Sequence, residues 1–247
     1  MKLKLKKNQS FYDYLLSVIS DTCDDLINKE FKEIFDKIDV KPELICRNSF
    51  IACYDMFSDI PRGHFSKSII RNKFLDNTNY IIIYPMVSTF DGHVTNDDTI
   101  KIDQLHVVIN EDVFRRVILD SFNSGIDILI DWIKMSVRHE IGHLIDYISF
   151  EGMNINDYTM MSTRRDEEMD AHNKKWDKYI REDEYHNKEE ERLMEYYTLE
   201  KEAVANTCVG LTASDLVGID RKLSGVFCPY QITLNVEVDR KEFPNEE

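Results

Sequence analysis

The sequence predicts an α+β fold with a small mixed β-sheet and a mostly helical C-terminal half. Three observations carry that reading. Runs dense in β-branched and aromatic residues, NYIIIYPMVST and TIKIDQLHVVIN, lie in the first half of the chain and read as strands. Apolar stripes at helical spacing stand on either side of them. A composition of 43% hydrophobic and 11% aromatic residues is enough for a core without disulfides. With 247 residues, 8 glycines and 5 prolines, no long flexible linker is expected, so residues 1–247 read as one domain.

Taken in order, residues from about 10 to 40 form a helical N-terminal segment, because Leu15, Ile19, Leu26, Phe31, Ile34 and Phe35 recur among acids and lysines. Pro42 ends it. The run RNSFIACYDMFSDIPRGHF shows no clear period, and its Pro61 and Gly63 mark a turn. NYIIIYPMVST reads as a buried strand, Asp91-Gly92 as a hairpin or loop, and TIKIDQLHVVIN as one or two further strands. From Gly125 the period changes. Ile128, Leu129, Ile133, Val137, Ile141, Leu144 and Ile145 form a helical stripe, with Gly152 just past its end. Residues 164–202 are heavily charged and read as helix with a solvated face. EKEAVANTCV reads as a further helix, YQITLNVEV as a strand and KEFPNEE as a frayed end.

A formal charge of −15 disfavours nucleic acid as the main partner, since phosphates select basic surfaces. No signal-peptide pattern and no apolar run of membrane-spanning length is visible, so the expected location is cytoplasmic. The five cysteines form no CxxC pair, as expected of reduced thiols. High Lys, Ile, Asn and Asp usage suggests an AT-rich bacterial or phage genome.

The chemistry concentrates in SVRHEIGHLIDY. Residues four apart share a helix face, so His139 and His143 can point at one ion, and Glu140 can reach a water on it. Neutral imidazoles suit zinc, and a neighbouring carboxylate can take the water's proton. Gly142 costs about 1 kcal/mol in mid-helix against alanine, a cost more easily understood if another element packs closely there.

HEIGH resembles the signature helix of the zincin metallopeptidases, which implies a zincin-like fold and a zinc-dependent peptidase acting on peptides or proteins, with Zn2+ held by His139 and His143 and with Glu140 as general base. The metzincin continuation is absent, because Asp146 and Ser149 stand where its glycine and third histidine would be. EAVAN at 202–206 is similar to the gluzincin ligand helix, which implies Glu202 as third ligand and Asn206, in place of the more usual Asp, as the partner orienting His139. DAHNKKWDKYIRE resembles the SprT-like segment less closely. It offers His172 as an alternative ligand with Trp176 matched, but Asn173 replaces a glycine, and those enzymes work on DNA-attached proteins.

The zincin resemblance further implies that a strand upstream of the signature helix pairs with an extended substrate. Leu105, His106, Val107, Val108, Ile109 and Asn110 are the residues placed for it. Tyr196, Tyr197 and Tyr230 are the candidates for stabilising an oxyanion. The alternative from another class is a zincin-fold binding or structural protein without catalysis. An intact Glu140 speaks against it, because a structural ion needs no base beside it.

Overall fold

The computed structural model describes residues 10–47, 85–121, 124–181 and 188–224. Helix α1 (Phe11–Asp25) starts at Ser10 in a capping box, with Asp13 N–H donating to Ser10 Oγ at 3.0 Å and Ser10 N–H to Asp13 Oδ2 at 3.2 Å. Its stripe of Leu15, Ile19 and Cys23, continued by Leu26, is buried. A π-helical turn (Leu26–Glu30) and the short α2 (Lys32–Phe35) complete the expected helical segment.

Three strands follow: β1 (Glu43–Arg47), β2 (Met86–Val94) and β3 (Ile100–Asn110). Their order is β1-β3-β2, with β1 parallel and β2 antiparallel to β3, so the sheet is small and mixed as the sequence predicts. Asp91-Gly92 is not the hairpin turn. It lies inside β2 at a bulge, where a Cβ on Gly92 would come within 2.6 Å of the Lys101 carbonyl oxygen. The chain reverses over Thr95–Thr99 instead, with Asp98 at a φ of 56°, a left-handed conformation that Asp tolerates.

β3 leads directly into α3 (Glu111–Asp120), which the sequence reading did not anticipate. The central helix α4 (Ile126–Ile148) then begins at Gly125, whose φ of 96° sets the entry. The stretch expected to be helical at 164–202 holds parts of three helices: α5 (Ile155–Arg181), α6 (Glu189–Tyr196) and the start of α7 (Glu200–Cys208). α8 (Ala213–Ser224) ends the described chain. The expected tail strand and most of NYIIIYP lie outside the described residues.

The core forms where α1, α4 and the sheet meet, with Leu15, Ile19, Ile102, Leu105, Phe114, Ile133, Ile141 and Leu144 all under 2% exposed. α4 is tied back to the hairpin at its end. Gly152 N–H donates to Ile100 O at 2.8 Å, and Glu151 Oε2 accepts from Ile102 N–H at 2.7 Å. Among the described residues no helix is long and apolar enough to cross a membrane.

Truncating Leu15 to alanine should cost about 2–4 kcal/mol in a urea titration, because the site is fully enclosed. The same change at Leu119, which is 73% exposed, should stay within about 0.5 kcal/mol.

Candidate metal centre

Two helices build the site. α4 carries His139, Glu140 and His143, and α7 carries Glu202 and Asn206. On each helix the functional pair is spaced four residues apart and so shares a face. The two helices run in opposite directions, as the pairings Arg138 with Val209, His139 with Asn206 and Gly142 with Ala205 show.

They touch at Gly142. A Cβ on Gly142 would overlap the Ala205 carbonyl oxygen and lie 2.8 Å from its carbonyl carbon. The absent side chain therefore sets how near α7 can come. The mid-helix glycine costs α4 something locally and gains the close approach.

At that separation three donor atoms converge. His139 Nε2 lies 3.2 Å from His143 Nε2 and 3.1 Å from Glu202 Oε2, while His143 Nε2 lies 3.3 Å from Glu202 Oε2. Ligands at 2.0–2.2 Å around a tetrahedral ion stand roughly 3.3–3.5 Å from one another, close to this triangle. His139, His143 and Glu202 are buried at 7%, 5% and 3% exposure, and together they could hold a metal ion.

The tautomer of His139 is fixed from behind. Asn206 Nδ2–H donates to Tyr197 O at 3.3 Å, which turns Asn206 Oδ1 towards His139 Nδ1 at 2.7 Å. Nδ1 must then donate, leaving the Nε2 lone pair directed at the centre. His143 is held differently. Its ring stacks on Tyr147 at 6.3 Å, and Tyr147 OH donates to Ser88 O of β2 at 3.1 Å.

The electrostatics follow the geometry. Burial pushes Glu202 towards protonation, but the two imidazoles outweigh it and hold its carboxyl well below the usual range. Burial likewise disfavours charge on His139, yet the hydrogen-bonded Glu202 carboxylate raises its pKa to about 9. Without a cation the group therefore keeps a proton on His139, which an entering ion must displace.

Glu140 lies beside this triangle, 8% exposed, and its Oε2 has no hydrogen-bond partner among the described residues. Its backbone carbonyl accepts from Ser88 Oγ at 2.7 Å, so this turn of α4 is fixed from the sheet side. Burial, with the charge of Glu140 adding to it, pushes the nearby Cys23 thiol up to about 12, which leaves it neutral and inert.

No protein-family model, curated protein or solved structure matches this chain.

The other expected residues are placed elsewhere. His172 is buried with its Nε2 3.3 Å from Arg192 O and its ring against Trp176 and Tyr196, and it is not in the metal-competent group. Leu105 to Ile109 lie in the central strand, which corrects the expectation of a substrate-pairing edge. From His106 to Ile109 the backbone pairs with β1 on one side and β2 on the other, and Leu105 is fully buried opposite Phe90. Tyr197 OH donates to Asp220 Oδ2 at 3.2 Å while its ring meets His139 edge-on, so it supports the His139 ring. Tyr196 packs against His172, and Tyr230 lies outside the described residues. Tyr147 and Ser88 were missed by sequence reasoning. Tyr147 could have been found, since it stands four residues beyond His143 on the same face.

Two outcomes follow. The protein should take up about one divalent cation per chain, releasing about one proton at neutral pH, and its affinity should fall as pH drops below about 9. Calorimetry in buffers of different ionisation enthalpy measures both. Gly142→Ala, normally worth about 1 kcal/mol to a helix, should instead destabilise the fold by about 1–3 kcal/mol through the clash with Ala205. It should also weaken metal uptake about tenfold or more, read by thermal melts and metal titration.

Proposed function

We propose that this chain is a zinc-dependent peptidase in which Glu140 is the general base. The observation that carries the reading is the buried His139–His143–Glu202 triangle with Glu140 beside it, whose Oε2 has no hydrogen-bond partner among the described residues. Two imidazoles and one carboxylate make a donor set suited to zinc, with room in the coordination for a fourth ligand. The pattern HExxH followed by ExxAN supports a gluzincin-like member of the zincin fold, and the mixed sheet behind a ligand-bearing helix is compatible with it.

Zinc bound there supplies Lewis-acid chemistry, acidifying water towards neutrality and polarising a carbonyl. His139, His143 and Glu202 would hold the ion, and Asn206 keeps Nδ1 of His139 protonated so that Nε2 is free to face it. Glu140 accepts the proton of the attacking water at its carboxylate and passes it to the leaving amine. Its burial removes competing solvent, and the Ser88 hydrogen bond fixes the backbone that carries it. The substrate class is a peptide or protein. A net charge of −15 speaks against nucleic acid. The free thiols Cys23, Cys46 and Cys208 accord with a cytoplasmic setting.

A metal-binding protein without catalysis is the competing reading. An isolated buried carboxylate oxygen costs about 1–3 kcal/mol when it has no partner. A binding module gains nothing from that cost, whereas a general base needs it.

Glu140→Gln should leave zinc stoichiometry unchanged and lower peptide cleavage by about 100-fold or more. A wild-type protein that binds zinc yet cleaves nothing in a broad peptide library would hand the site to the binding-module reading.

A further inference from the structure

Glu202 sits near the start of a nine-residue helix whose N-cap, Leu199, offers no side-chain cap. Something else must hold that end. The structure supplies it from α5. Glu168 Oε2 accepts the exposed Glu200 N–H at 2.7 Å, so a carboxylate from another helix caps α7. Three residues earlier on α5, Arg165 donates from Nη1 to Asp146 Oδ2 at 2.6 Å and from Nη2 to Asp146 Oδ1 at 3.4 Å. The same guanidinium donates from Nε to Glu200 Oε1 at 3.2 Å.

Asp146 stands three residues beyond His143 on α4, and Glu200 stands two residues before Glu202 on α7. Because the two helices run antiparallel, Arg165 thus grips both ligand-bearing helices at the same end of the triangle. Its side chain is 10% exposed and that of Asp146 is 4% exposed, so the contact is poorly screened by solvent.

We propose that Arg165 is a positioning residue for the metal centre, setting the spacing between the helix of His139 and His143 and the helix of Glu202. The inference rests on the metal-site reading above. A guanidinium suits the task because its planar fork can serve two carboxylates in fixed directions, which an ammonium cannot.

Charge and position predict opposite effects here. Removing a cation from the neighbourhood of a cation site favours metal binding by simple electrostatics. Loosening the spacing of the donor triangle disfavours it. The direction of the change therefore identifies the role.

The test uses the full chain and needs no peptide substrate. Zinc affinity is measured by chelator competition for wild type, Arg165→Met, Arg165→Lys and Arg164→Met, with the visible spectrum of each cobalt-loaded protein. Thermal melts of the metal-free proteins accompany them as a check on folding. Arg164 also touches Glu200, but at 66% exposure, and serves as the surface control. Arg165→Met should weaken zinc binding by about 10- to 100-fold and alter the cobalt bands. Arg165→Lys should fall between it and wild type, and Arg164→Met should stay within about twofold.

Unchanged or tighter zinc binding in Arg165→Met, with a wild-type cobalt spectrum, overturns the proposal. Should Arg165→Met fail to fold, Arg165→Lys decides, and wild-type affinity and spectrum there overturn it equally. A wild type that takes up no metal overturns the underlying site reading, and the positioning role with it.

Discussion

The closest approach of two helices governs this structure. Gly142 leaves no Cβ between α4 and α7, and the Ala205 carbonyl occupies the space. Because the helices run antiparallel, that single contact aligns a four-residue step on one with a four-residue step on the other. His139 and His143 then face Glu202 together, while Asn206 reaches behind His139. Moving α7 outward by the width of a methyl group would separate the donors by more than a coordination sphere tolerates, since metal ligands are fixed to within about 0.2 Å.

Further contacts hold α4 itself in register. Arg138, next to the first histidine, donates from Nε to Val209 O at 2.8 Å and from Nη1 to Glu30 Oε2 at 2.9 Å, which joins the N-terminal segment to the end of α7. Ser88 on β2 accepts from Tyr147 through its carbonyl and donates through its hydroxyl to the carbonyl of Glu140. One sheet residue thus fixes α4 both at Glu140 and a turn beyond the second histidine. The site is built on regular helices backed by a sheet, and its precision comes from side chains anchored on backbone carbonyls and on charged partners of neighbouring elements. A loop-borne site would depend on side-chain order that costs entropy to maintain.

What the sequence disclosed follows from the range of the interactions. HEIGH and EAVAN are legible because a helix converts four-residue spacing into a shared face without help from the rest of the chain. The glycine between the histidines was legible as a cost, though its beneficiary was not. Strand order was illegible, because β1 pairs with β3 across about sixty residues and its short run ELICR has little alternation. That pairing turned Leu105 to Ile109 from an expected edge into a centre. Asp91-Gly92 carries a turn signature, and only the register with Lys101 and Ile102 shows it as a bulge. Arg165 left no trace either, since its partners lie 19 and 35 positions away and nothing local marks them.

The asparagine at 206 is the position where charge balance can be argued furthest. A divalent ion held in this site would face the carboxylates of Glu202 and Glu140, whose two negative charges would match its own. Asp146 is already neutralised by Arg165, and the cation Lys201 lies among Tyr147, Glu202, Asp166 and Glu140, so Asp166 adds one negative charge against its one positive charge. An aspartate at 206 would add an unmatched negative charge at 3% exposure, where uncompensated charge is expensive. Asparagine performs the orienting task with a neutral carbonyl, and its second amide bond, to Tyr197 O, fixes which way that carbonyl points. The asparagine that departs from the gluzincin pattern is therefore the residue this buried, nearly neutral centre favours on physical grounds.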